Sequence, residues 1–195
     1  MTTSPNKKET ILKTALDLTS KFGLESLSIG GLAKSVGMSK SGLFGHFKSK
    51  EKLQIMVMDY AAENFTKQVF VPALKAPRGL PRLDAMMQNW REWSNTYLAG
   101  GCPLLSSIIE FDDRPGKIQQ HIKKLQSQMI STFEKTISLA VKEGHLQKDS
   151  NISQLAYELY SNMIGFHIYS RLLNDEKSYE RFYHFYQKIF HNNNK

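Results

Sequence analysis

Cysteine is almost missing from this 195-residue chain. Cys102 stands alone, so neither an intramolecular disulfide framework nor a cysteine-rich zinc site can form. Proline is scarce, and Pro72, Pro77 and Pro81 crowd into one break, which leaves the remainder open to long helices. No apolar run approaches the roughly 18 residues that a membrane span needs. The opening stretch Met1-Thr2-Thr3-Ser4-Pro5-Asn6-Lys7-Lys8 has no apolar signal-peptide core. A cytoplasmic protein with no membrane partner is therefore expected. Alternation with period two is also missing, so no strand is predicted. The chain has no Gly-rich phosphate loop, no nucleophile elbow and no His-Glu-x-x-His pattern, and its acids are scattered. It does not read as an enzyme, and no cofactor is expected. Glu180 and His184 share a helix face at i, i+4, but two ligands do not make a zinc site, so no metal is expected either.

Acidic residues are the next shortage, 18 against 26 Lys and Arg for a net charge of +8. Residues 1–52 hold nine lysines and only four acids, Glu9, Asp17, Glu25 and Glu51, so five of the eight excess charges lie in the first quarter. A basic segment that concentrated suits a polyanion, nucleic acid first and an anionic surface second. A net charge of +8 alone is more commonly that of a solvated surface.

What the chain does have is helical periodicity. Ile11, Ala15, Leu18 and Phe22 form one stripe that Gly23 stops. Ser28, Ser39 and Ser49 each precede a further helical segment as N-caps. Leu83, Met86, Trp90, Trp93 and Tyr97 resume the pattern after the proline break, and Ile118 to Val141 marks a long helix closed by Gly144. Two more segments follow, carrying Leu155 to Phe166 and Phe182 to Ile189. The fold class is all-α, with about nine helices.

The break Val36-Gly37-Met38-Ser39 is the most informative. Gly37 can take positive φ and end one helix, and Ser39 caps the next, so two helices meet through a tight turn at a steep angle. Leu32, Ala33, Val36, Leu43 and Phe47 would be the packed side. Lys40, Ser41, Phe44, Gly45 and His46 are left on the outer face of a helix suited to the DNA major groove.

The run from Leu27 to Leu53, with its Leu32-Ala33 pair, the Val36-Gly37-Met38-Ser39 turn, the aromatic-bearing second helix and the Phe47-Lys48-Ser49-Lys50-Glu51 exit, resembles the TetR (tetracycline-repressor-like) family. Gly100-Gly101-Cys102-Pro103 and the stretch Glu110 to Gly116 are similar to one subgroup of its C-terminal domains. The resemblance implies a three-helix helix-turn-helix domain over 1–50, followed by an effector-binding and dimerisation domain over 51–195. It implies a homodimeric, ligand-responsive transcriptional regulator, a repressor released from a palindromic operator in double-stranded DNA by a small apolar effector. Phosphate contacts carry over to Ser28, Phe44, His46 and Lys50. Phe44 replaces the usual Tyr, which removes a phenolic bond. Ser39, Gly42 and Gly45 complete the motif Ser28 to Phe47, with Lys40 and Ser41 as the base-reading candidates and backbone approach at the glycines as a further route. His46 is either a phosphate donor or a packing residue. The alternative is a basic helical module that binds proteins or membrane surfaces without reading DNA sequence.

In the family the effector lies among the fourth, fifth, seventh and eighth helices. That points to Trp90, Trp93, Tyr97, Met129, Phe133 and Phe166 as pocket candidates, although aromatics at helical spacing also serve as plain core. The last two helices carry aromatics on more than one side, among them Tyr160, Phe166, Tyr169, Phe182, Phe185 and Tyr186. Such a surplus needs a second partner, which the resemblance makes the other subunit. Cys102 sits at a helix start, but no second cysteine is present to resolve an oxidised thiol.

Overall fold

The computed structural model describes residues 7–98 and 100–191. Among them every regular element is helical. Nine helices of seven residues or more are present: α1 Lys7–Phe22, α2 Ile29–Ser35, α3 Lys40–Phe47, α4 Lys50–Phe65, α5 Leu80–Glu92, α6 Pro103–Phe111, α7 Lys117–Lys142, α8 Ile152–Arg171 and α9 Ser178–Phe190. No helix among the described residues is long and apolar enough to cross a membrane. Two π-helical segments, Thr66–Phe70 and Trp93–Tyr97, extend α4 and α5, and a single helical turn, Val71–Ala73, follows the first.

The start signals act as the sequence predicts. Ser28, Ser39 and Ser49 are in extended conformation, and each hydroxyl accepts from the backbone N–H three residues on, in Gly31, Gly42 and Lys52. Asn151 caps α8 in the same way through Gln154. Such a cap contributes about 1 kcal/mol by pairing an otherwise orphaned donor. Pro103 occupies the first turn of α6, where its missing N–H costs nothing.

The chain forms two compact units. One unit comprises the chain up to Thr66 together with Trp93–Leu125, and the other Lys67–Glu92 with the chain from Gln126 onward. In the first unit α1 buries Ile11, Leu12, Ala15 and Leu16 and packs on α2, α4 and α6. Leu24, Leu32, Leu43, Leu53 and Val57 are sealed in the same core. Ser20 joins the far end of that unit to α1: its hydroxyl donates to the Gly101 carbonyl and accepts from the Gly100 N–H, both at 2.9 Å. A Cβ on Gly100 would fall inside the Ser20 carbonyl group, so only glycine fits there.

The second unit is built on aromatics. Trp90 meets Phe166 at 5.2 Å and Phe182 at 5.0 Å between ring centroids, and Phe133 stands edge-on to Phe70. The Arg91 guanidinium lies 3.6 Å above the Tyr179 ring. Tyr186 donates a 2.6 Å hydrogen bond to Asp84, whose same carboxylate oxygen is 3.0 Å from His191 Nε2. Burial, followed by the Asp84 charge, pushes the Tyr186 phenol well above its ordinary range.

Candidate nucleic-acid interface and effector cleft

Local sequence sets the interface. Gly37 adopts φ +65°, ending α2 in the left-handed conformation that a side chain resists, and the Met38 N–H returns to the Ala33 carbonyl at 2.9 Å. α3 then buries Leu43 and Phe47 and nothing else. Lys40, Ser41, Gly42, Gly45 and His46 are exposed, and Phe44 projects with 52% of its surface accessible. An isolated phenyl ring so exposed is a poor use of apolar area unless something covers it.

The two glycines of α3 differ. A Cβ on Gly42 would stand 3.0 Å from the capping Ser39 hydroxyl, a close contact, although Lys52 carries one at the same place in the Ser49 cap. A Cβ on Gly45 would meet nothing within 4 Å. The folded chain does not require glycine there. His46 is exposed and tilts towards the Phe47 ring at 6.2 Å.

Lys50 is more constrained than a free phosphate ligand. Its ammonium donates to the Glu25 carbonyl at 2.6 Å and to the Glu25 carboxylate at 2.9 Å. That bond holds the Glu25 carboxyl below its ordinary range despite partial desolvation, with Gln54 helping. Glu25 lies in a clamp that motif reading missed. The Glu110 carboxylate accepts from the Leu24 and Glu25 N–H groups at 2.8 Å each, and Gln54 donates to the Leu24 carbonyl at 2.9 Å. The segment leading from α1 into the helix-turn-helix is thus pinned by α6 and α4. Gly23, at φ +85°, gives Glu110 room: a Cβ there would stand 2.6 Å from its carboxylate.

The six pocket candidates separate. Trp93 and Tyr97 are stacked at 5.6 Å and line a cleft of about 710 Å³ in the first unit. Trp90 and Phe166 belong to the closed aromatic cluster with Phe182, and Met129 and Phe133 are buried in that same second unit. The cleft is otherwise walled by Glu9, Lys13 and Asp17 of α1 and Tyr60 of α4, residues that aromatic patterning did not reveal. Partial burial and the nearby Glu9, Asp17 and Glu63 charges raise the Tyr60 phenol. Behind the cleft, Trp93 Nε1 donates to Cys102 Sγ at 3.2 Å. The thiol is fully enclosed, and burial pushes its pKa up rather than down.

Two family models match the chain. "Bacterial regulatory proteins, tetR family" covers residues 11–55, and "Tetracyclin repressor-like, C-terminal domain" covers residues 79–186. The nucleoid occlusion factor SlmA of Marinobacter nauticus is 26% identical over 144 residues, 74% of this chain and 71% of that protein. The HTH-type transcriptional regulator QacR of Staphylococcus aureus is 25% identical over 170 residues, 83% of this chain and 86% of its own. In three dimensions the chain resembles AibR, solved in complex with isovaleryl coenzyme A and operator DNA, with a TM-score of 0.74 and 20% identity over 95% of this chain and 98% of that one. With its C-terminal model spanning over half the chain and its helix-turn-helix matched independently, the protein belongs to the TetR family of DNA-binding transcriptional regulators.

Proposed function

We propose that the protein is a ligand-responsive repressor that binds a palindromic operator as a homodimer and leaves it when a small, largely apolar effector is bound. The observation that carries this reading is α3. Its buried side is satisfied by Leu43 and Phe47 alone, and its outer side offers Lys40, Ser41, Phe44, Gly45 and His46. Lys40 and Ser41 lie in the first turn, the end of a recognition helix that reaches base edges. Ser28, His46 and Lys50 are placed to hold the phosphate backbone, Lys50 by sharing the ammonium now bound to Glu25, with the Phe44 ring offering apolar contact beside them.

The exposed apolar residues of α8 and α9 and the segment between them support a dimer. Tyr157, Tyr169, Leu172, Leu173, Tyr183 and Phe185 all lie on the surface of the isolated chain. Of the aromatics singled out in the sequence, Tyr169 and Phe185 lie on this surface, whereas Phe166, Phe182 and Tyr186 are core and Tyr160 bonds to Gln126 at 2.7 Å. The stacked Trp93–Tyr97 pair supports an effector site. AibR, by its description, combines an acyl-coenzyme A ligand and operator DNA in one protein of this fold.

Fluorescence anisotropy on the DNA upstream of the protein's own gene, against random duplex at several salt concentrations, tests the reading. Specific binding should exceed random binding by 10³-fold or more. Lys40→Ala should cost about 1–3 kcal/mol and relax sequence preference. Equal affinity for both duplexes at physiological salt would refute sequence-specific regulation.

A further inference from the structure

We propose that the cleft walled by α1, α4 and the π-helical segment Trp93–Tyr97 is a binding site for a small aromatic monocation. Its volume, about 710 Å³, is that of a site for a compact organic molecule. All of its walls come from one compact unit, so it is present without any rearrangement of the chain. The binding claim stands by itself, and any effect on operator affinity rests on the regulatory reading above.

Three features support the site, and the first two set the ligand's chemistry. First, the site has an anchored aromatic platform. Trp93 is held by its bond to Cys102 and by the edge of Phe65 at 5.6 Å, and Tyr97 stacks on it at 22° while keeping 53% of its surface exposed. A stacked pair with one member half open is a surface on which a flat ring gains contact area, and a cationic one gains the attraction of the ring quadrupoles. Second, the sign of the local charge runs against the chain. Glu9 and Asp17 stand on the wall with Lys13 as the one base, and neither acid forms an ion pair among the described residues. The Tyr60 phenol on the same wall is raised chiefly by burial, with smaller contributions from the Glu9 and Asp17 charges. A negative patch in the most basic quarter of a +8 protein selects for a cation and against an anion. Third, Trp93–Tyr97 is wound as a π-helix, a widened turn that often marks a functional position, and both of its end residues line the cleft.

The test uses N-methylquinolinium and its neutral isostere 1-methylnaphthalene, which differ essentially in charge alone. Each is titrated calorimetrically into the full-length protein, the Glu9→Gln/Asp17→Asn double variant and Tyr97→Ala. All three substituted side chains are exposed, so the fold should survive, and thermal denaturation checks that it does. The cation should bind at least tenfold more tightly than the isostere. The double variant should erase that preference, and Tyr97→Ala should weaken both ligands. Equal binding of the two compounds, an unchanged preference in the double variant, or no heat from the cation at millimolar concentration would each overturn the proposal. Operator affinity is measured on the same samples without ligand; its failure would count against the regulatory reading alone.

Discussion

Gly45 is a residue whose cost to the fold can be weighed against a role in recognition. Glycine inside a helix costs about 1 kcal/mol relative to alanine, and at this position nothing in the chain requires it. Gly45→Ala should therefore raise the melting temperature by a few degrees. If the α3 backbone lies against DNA at that point, the same substitution should reduce operator affinity by tenfold or more. Calorimetry and anisotropy on one sample separate the two effects, and a gain in both would show that the glycine has no role in recognition. His167 supports a prediction of a different kind. Burial, with a smaller contribution from Arg171, holds its pKa below the ordinary histidine value. The folded state thus favours the neutral ring, while the unfolded chain takes up a proton below about pH 6.5. The stability due to this group is complete above that pH and is lost as the pH falls from there through the folded-state pKa. Urea unfolding at stepped pH should show the decline, and His167→Gln should flatten it.

At the scale of elements, the Glu110 clamp fixes the path from α1 into the recognition motif. Two hydrogen bonds to a charged acceptor are lost in Glu110→Ala, at a cost of about 2 kcal/mol after allowance for their partial exposure. The variant should also lose amide-exchange protection at Leu24 and Glu25, with partial recovery in Glu110→Gln. Unchanged exchange at both amides would mean that Gln54 and Lys50 suffice. Most of the helices were legible because their ends are chemically marked. Serine hydroxyls cap α2, α3 and α4, and Gly23, Gly37 and Gly144 end helices at positive φ. The π-helical stretches were not legible, since the spacing of Leu83, Met86, Trp90, Trp93 and Tyr97 fits an uninterrupted α-helix. Glu110 escaped for another reason. Its partners are 85 and 86 residues away, and no local pattern encodes such a contact. The cleft was half visible: its aromatics announce themselves, whereas Glu9 and Asp17 look like any exposed helical acids.

For the whole molecule, the surface of α8 and α9 is the deciding feature. Leu172 is 75% and Tyr157 66% exposed in the single chain, with Phe185 and Tyr183 also open. A two-fold pair would cover the same patch on both subunits and relate the two recognition helices by the same axis. Light scattering should then give twice the chain mass at micromolar concentration, and footprinting should give an inverted repeat with half-sites about 34–36 Å apart or a multiple of that. Leu172→Asp combined with Phe185→Asp should yield a folded monomer with sharply reduced operator affinity. A monomeric parent protein, or a footprint over one half-site, would contradict the symmetric arrangement.

The enclosure of Cys102 makes the chain its own stopwatch. One thiol, fully covered and bonded by the Trp93 indole, is unavailable to an alkylating reagent until the structure around it opens. With reagent in excess and reclosing slow, the labelling rate equals the opening rate; with reclosing fast, it reports the equilibrium population of the open form. No residue need be introduced and no competing thiol subtracted. Repeating the assay with and without operator DNA would time how firmly the bound state holds the DNA-reading half of the chain closed.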